Sequence, residues 1–197
     1  GNDGHAGNPV NPVGSDTSYL WEEVFEPELF LRILRDYALW EPSSKGNAGR
    51  LVFPRYHQLR ATEKVIDDIA VRGAGGRYLI QHSAGSGKTK TIAWLAHRAG
   101  RSIDSAGHPV FDSVIVVTDR TVLDDNVKEG LDLLRASEGL VVNVDNKLGS
   151  KSKTLEAALN RGGHIISCTI QTFPALAKMM EKSPQLAGRK YCVIMDE

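Results

Sequence analysis

Residues His82-Ser83-Ala84-Gly85-Ser86-Gly87-Lys88-Thr89 follow the apolar run Tyr78-Leu79-Ile80 and lead into a stretch of helical periodicity. In that context the spacing is that of a phosphate-binding loop, which predicts a nucleotide triphosphate as ligand. Gly85 and Gly87 permit backbone angles and close approaches that a Cβ forbids, so the N–H groups of the loop, from Ser83 and Ala84 through Ser86, can turn inward on phosphate oxygens. The helix beginning near Gly87 adds the positive end of its dipole. Lys88 is placed to reach the β and γ phosphates, and the Thr89 hydroxyl to ligate the magnesium that bridges them. The first position, usually Gly or Ala, is His82; it precedes the cradle, so the change is tolerable.

A second constellation closes the chain. Tyr191-Cys192-Val193-Ile194-Met195 is an uninterrupted apolar run of the kind found in a buried parallel strand, and it delivers Asp196 and Glu197 at its tip. Asp196 suits an outer ligand of the magnesium, and Glu197 a base that orients and deprotonates an attacking water. The pair separates a hydrolase from a nucleotide kinase, whose acceptor is not water.

The elements that must hold these groups follow from periodicity. Strands are expected at Arg77 to Gln81, Ser113 to Val117, Val141-Val142 and His164 to Cys168, besides the final run. Helices are expected from Gln58 to Arg72, closed by Gly73, and from Thr89 to Ala99 with Ile92, Leu95, Ala96 and Ala99 inward. Two more are marked by Leu123, Val127, Leu131 and Leu134, and by Lys153 to Leu159. Strand–helix alternation with buried strands implies a three-layer α/β fold on a mainly parallel sheet, with the chemistry at the strand C-termini. Upstream, Glu26-Pro27 fits a helix start, and Phe30, Ile33, Leu34, Tyr37 and Ala38 share one helical face until Pro42 to Gly49 breaks it.

Composition frames this reading. At 197 residues, 41% hydrophobic and 24% charged, the chain suits one well-buried domain and is short for two. Its 24 basic and 24 acidic residues cancel, so any nucleic-acid contact must be a local patch rather than a global field. Cys168 and Cys192 read as small buried residues of a reducing compartment, and with no membrane-length apolar stretch the expected location is cytoplasmic. The Gly-, Pro- and Asn-rich residues 1–19 read as a linker or the tail of a preceding domain, 20–50 as a helical linker and 51–197 as the nucleotide-binding domain. With loop-like residues at one end and a site strand at the other, the chain reads as an internal segment of a larger protein.

Four blocks in order carry a resemblance: Phe53-Pro54-Arg55-Tyr56-His57-Gln58, the phosphate loop from Gln81 to Thr89, Val116-Val117-Thr118-Asp119-Arg120-Thr121-Val122-Leu123, and Thr169-Ile170-Gln171-Thr172-Phe173. They resemble the first RecA-like motor domain of superfamily 2 helicases and translocases, and within it the R subunit of type I restriction-modification enzymes. Asp196-Glu197 looks like the start of that superfamily's Asp-Glu-x-His box. The resemblance implies an ATP- and Mg2+-dependent translocase acting on double-stranded DNA, partnered by modification and specificity subunits and, in the full-length chain, by a second RecA-like domain and a nuclease domain. It puts Gln58 on the adenine edge, with Arg55 and Tyr56 supporting or stacking on the base, and leaves His57 as a packing or hydrogen-bonding residue. It turns Thr118, Arg120, Thr169, Gln171 and Thr172 toward the nucleic-acid backbone, where a strand-end cap and turn is the alternative. It also implies that the strand following the Asp-Glu box lies between the phosphate-loop strand and the Asp-Glu strand, so a gap or a mispaired edge is expected between Ile80 and Ile194. Another superfamily 2 helicase, or an ATP-binding module that couples domains without hydrolysis, are the competing readings.

Overall fold

The structure, a computed structural model, describes residues 11–41, 49–118, 141–144, 164–186 and 188–196. The two expected helices within 119–140 and 145–163, Arg120 and Glu197 lie outside the described residues.

Helix α1 (Pro27–Arg32) starts where expected, with Pro27 in the first turn and the Glu26 carboxylate accepting from the Leu29 N–H at 2.9 Å. The chain then widens into an i→i+5 turn over Ile33–Tyr37, closed by the Ala38 N–H donating to the Ile33 carbonyl at 2.9 Å. That extra residue changes which side chains face inward. Ile33 and Tyr37 are buried as the 3.6-residue spacing predicts, but Asp36 is buried too and Leu34 and Phe30 are exposed. Strands β1 (Leu39–Glu41) and β2 (Arg50–Val52) then form an antiparallel pair, Leu39 opposite Val52, where only a helix end and a break are expected from the sequence.

Helix α2 (Tyr56–Arg72) buries Leu59, Thr62, Glu63, Val65, Ile66 and Ile69 and ends at Gly73. Helix α3 (Lys88–Gly100) buries Ala93, Trp94, Leu95, Ala96 and Ala99. Strands β3 (Ser113–Thr118), β4 (Val141–Val144), β5 (His164–Thr169) and β6 (Tyr191–Met195) form one parallel sheet in the order β4-β5-β3-β6. Helix α4 (Phe173–Lys182) follows β5; it begins where the sequence reading carries only a motif.

Strand β3 is buried at every position because both faces of the sheet are covered. Val114 and Val116 pack into the core shared with α2, α3, Tyr37 and Leu39. Ile115 and Val117 point the other way, into a cluster with Ile166, Cys168, Leu176 of α4 and Leu186. Helices, sheet and helix make the three layers, and the fold is α/β and RecA-like. Burial raises both thiols, Cys168 and Cys192, to about 11, and neither is in a disulfide.

One expected strand is corrected. Residues 77–81 run without a ladder partner: Leu79 is 91% exposed while Ile80 is only half-buried against the core. A strand is defined by its neighbour's hydrogen bonds, and among the described residues no strand lies beside this run. Among the described residues strand β6 pairs on one side only, with β3, and Val193 and Met195 are exposed.

Candidate nucleotide site and sheet edge

The phosphate loop sits at the start of α3, where the first-turn N–H groups have no intrahelical acceptor. Gly87 is the N-cap and adopts the left-handed region at φ +88°, as Gly85 does at φ +72°. An ideal Cβ on Gly85 would meet nothing within 4 Å, so the space beside this glycine is open. The Ser86 hydroxyl is buried with no partner, a polar group on the loop still owed one. Lys88, the first residue of α3, is exposed, and Thr89 follows half-buried. This donor set fits the triphosphate and magnesium that the sequence implies.

A groove of about 1220 Å3 opens beside the loop. Arg55 and Tyr56 line it together with Ser83, Ala84, Gly85 and Ser86, so these expected site residues share one space. Tyr56 is held there by an edge-on contact with Tyr19, ring centroids 4.9 Å apart, and by donating its hydroxyl to Glu23 at 2.9 Å. Gln58 stands apart from the groove: it is 3% exposed, its Oε1 accepts from the Arg55 N–H at 2.8 Å, and its Nε2 donates to the carbonyls of Gly87 at 3.0 Å and Ser86 at 3.3 Å. His57 Nε2 lies 3.2 Å from the Ser86 carbonyl, and its ring stands edge-on to His82 with centroids 5.2 Å apart. Burial, then the charges of His57 and Lys88, hold His82 below the ordinary histidine range.

The helix behind the loop is braced by a buried ionic cluster that sequence reasoning misses. Arg98 of α3 donates to Asp36 at 2.6 Å and to Glu63 of α2 at 3.4 Å; Arg32 and the Tyr37 hydroxyl also donate to Glu63. Burial and then the Glu63 partner push the Tyr37 phenol well above its ordinary value. Nearer the loop, Lys90 pairs with Glu41 of β1. The signal was available: Glu63 falls on the apolar face of α2 between Thr62 and Ile66, where a carboxylate requires partners.

The C-terminal edge of the sheet gathers the other expected residues. Thr118 stands in register with Thr169, and the Asp196 N–H donates to the Val117 carbonyl at 2.8 Å, so residues of three separate motifs lie in a row across β5, β3 and β6. The individual side chains differ. Thr118 is buried with an unpartnered hydroxyl, whereas the hydroxyls of Thr169 and Thr172 are buried and hydrogen-bonded to one another at 3.0 Å. Gln171, between them, is exposed. Thr169 and Thr172 thus also serve the turn that starts α4, where the Thr172 carbonyl accepts from Leu176 N–H at 3.1 Å. Among the described residues no helix is long and apolar enough to cross a membrane.

Against known proteins, the family model described as SWI2/SNF2 ATPase matches residues 57–197. No curated protein matches the chain closely enough to be named as a relative.

Proposed function

Since the chain belongs to the SWI2/SNF2 ATPase family, we propose that it is the ATP-driven motor of a DNA translocase, of the kind that works in the R subunit of type I restriction-modification enzymes. The observation that carries the reading is the joint placement of a phosphate loop at the head of α3 and a row of Thr118, Thr169 and Asp196 along the C-terminal edge of one parallel sheet. One edge binds nucleotide and the other residues on it face a track. The finer likeness rests on the Phe53 to Gln58 block and on the order of the remaining blocks.

In this reading ATP with Mg2+ supplies a phosphoryl group whose transfer to water releases the energy for movement. Lys88 would hold the β and γ phosphates, Thr89 and Asp196 would hold the metal, and Glu197 would take the proton of the attacking water. In the same reading Arg120 and Gln171, the latter exposed, meet the DNA backbone, while the buried Thr118, Thr169 and Thr172 shape the sheet edge beside them, which is why the track should be followed without regard to sequence. Double-stranded DNA, modification and specificity subunits, a nuclease domain and a second RecA-like domain are the partners.

The test is ATP hydrolysis by the full chain with duplex DNA, RNA or neither, together with displacement of a third strand from a duplex. Stimulation by duplex DNA and strand displacement support the translocase; stimulation by RNA alone moves the chain to a helicase of another track. Nucleotide binding without turnover under any condition makes it a coupling module. With zero net charge, the salt slope of DNA binding should be on the order of one to three counterions.

A further inference from the structure

A phosphate loop has two sides. Its N–H groups must face the anion, so its carbonyls must face away, and in a chain with few neighbours they would be free to turn over. Here they are not free. The Gly87 carbonyl accepts from Gln58 Nε2 at 3.0 Å and also caps the first turn of α3 through Lys90 N–H at 3.1 Å. The Ser86 carbonyl accepts from the same Nε2 at 3.3 Å and lies 3.2 Å from His57 Nε2. A carbonyl only accepts, so His57 carries its proton on Nε2. Both residues sit in the first turn of α2, adjacent in sequence, and that turn is itself locked by Gln58 Oε1 on the Arg55 N–H at 2.8 Å.

We propose that His57 and Gln58 are positioning residues that clamp the outward carbonyls of Ser86 and Gly87, holding the N–H groups of the phosphate loop toward the anion before it arrives. The inference rests on the nucleotide-binding reading above and adds to it a role for two side chains that is separate from any contact they make with the ligand; His57 also lines the groove. Three further features agree. Gln58 has one amide oxygen and two amide hydrogens, all directed into the protein, and is 3% exposed, so it meets the loop rather than the groove. An ideal Cβ on Gly87 would stand 2.5 Å from Gln58 Nε2, so the clamp itself requires glycine there, beyond what φ +88° requires. His57 is in turn steadied by the His82 ring 5.2 Å away, which gives the unusual first residue of the loop a packing partner.

The clamp and a base-reading role make opposite demands on a ligand with no base. Tripolyphosphate, ATP and GTP are titrated into the wild-type full chain and into His57→Leu, His57→Gln and Gln58→Met, with a thermal melt of each. A clamp residue weakens all three ligands by the same factor, roughly 3- to 10-fold for the one hydrogen bond of His57 with little change in melting, and at least as much for Gln58→Met, which also lowers the melt because the Arg55 N–H and two carbonyls lose their partner. His57→Gln, whose amide can reach the same carbonyl, should recover most of the affinity. Loss confined to ATP, with tripolyphosphate unchanged, overturns the clamp and makes these residues base readers. Loss by His57→Gln as deep as by His57→Leu overturns it for His57. Failure of the wild type to bind any of the three ligands instead removes the nucleotide-binding reading itself.

Discussion

The indole N–H of Trp94 donates to the main-chain carbonyl of Tyr37 at 3.0 Å, and both side chains are completely buried. Trp94 lies on the helix that begins with Lys88, and Tyr37 closes the wide turn that follows α1. A helix moves as a rigid rod over this length, so whatever fixes Trp94 and Arg98 also fixes where the phosphate loop points. The segment upstream of the loop is therefore part of the machinery that orients it.

That brace should be visible in stability. Asp36→Ala removes one of the two carboxylates on Arg98, a guanidinium only 14% exposed, and leaves Glu63 alone to serve it. Stranding a buried charge costs several kcal/mol; with Glu63 remaining, about 2 to 4 kcal/mol is expected in denaturant unfolding. A loss below about 0.5 kcal/mol would mean the cluster is solvated. The pH dependence has a definite sign. Burial raises the Asp36 carboxyl, but the Arg35 hydrogen bond and the charges of Arg98 and Arg101 outweigh it, and the net shift is downward. A depressed carboxyl stabilises above its unfolded value of about 3.9 and loses that contribution as pH falls through the lower folded value. The gap between wild type and Asp36→Asn should thus be full at neutral pH and close in acid below about pH 4.

Much of this architecture could be read from residues alone, for identifiable reasons. The loop, the strands from Ser113, His164 and Tyr191, and helices α2 and α3 all carry strong local signals: glycine spacing, apolar runs and a 3.6-residue period. The failures are non-local. Arg77 to Gln81 has the residues of a strand but no neighbour, and pairing is not a property of the run itself. The wide turn at Ile33–Tyr37 breaks the period that made Leu34 look internal, and β1 and β2 are three residues each, too short to show alternation. The Asp36, Glu63 and Arg98 cluster joins residues up to 62 apart in sequence, which no spacing announces. For the site, only Arg55, Tyr56 and Ser83 to Ser86 among the expected residues line the groove, whose wall is otherwise built from α2 and residues 77–81, and the direction of the Gln58 amide required knowing where Ser86 and Gly87 turn their carbonyls.

The two loop glycines should respond differently to alanine. At Gly85 the added methyl meets open space, so only the left-handed backbone is opposed, at about 1 to 2 kcal/mol. At Gly87 the same backbone cost is joined by a collision with Gln58 Nε2 at 2.5 Å, so the Gln58 amide must leave its two carbonyls or the loop must shift. Gly87→Ala is expected to lose both more melting temperature and more ATP affinity than Gly85→Ala. Equal effects in both assays would show that Gln58 yields without consequence.

Lys88→Ala tests the reach of the first residue of α3. A charge-assisted contact to phosphate contributes roughly 1.5 to 3 kcal/mol, so ATP binding should weaken about 10- to 150-fold while AMP binding barely changes. Because Lys88 is exposed, melting temperature should be nearly unaffected, which separates lost contact from lost fold. Parallel losses for ATP and AMP would place the lysine elsewhere.

Nucleotide binding at the proposed site should be proton-linked through His82. In the free protein burial, the charge of His57 and that of Lys88 keep the ring below the ordinary histidine value of about 6.5, so it resists the proton that the unfolded chain accepts. The sign for stability follows: the unfolded state binds more protons below about pH 6.5, and the contribution of His82 to folding declines as pH falls through that range. A bound triphosphate reverses the local field, because several negative charges now face the ring from the loop it begins. His82 should then take up a fraction of a proton on binding, and affinity should gain on acidification from about pH 7.5 to 5.5 relative to a variant that cannot titrate. The phosphates titrate in the same range, so the readout is the difference between wild type and His82→Gln. Calorimetry of ATP binding in buffers of unlike ionisation enthalpy gives proton uptake directly. Wild type should exceed His82→Gln in uptake at pH 6, with the difference gone by pH 8; identical uptake in the two proteins would leave His82 as a packing partner of His57 and nothing more.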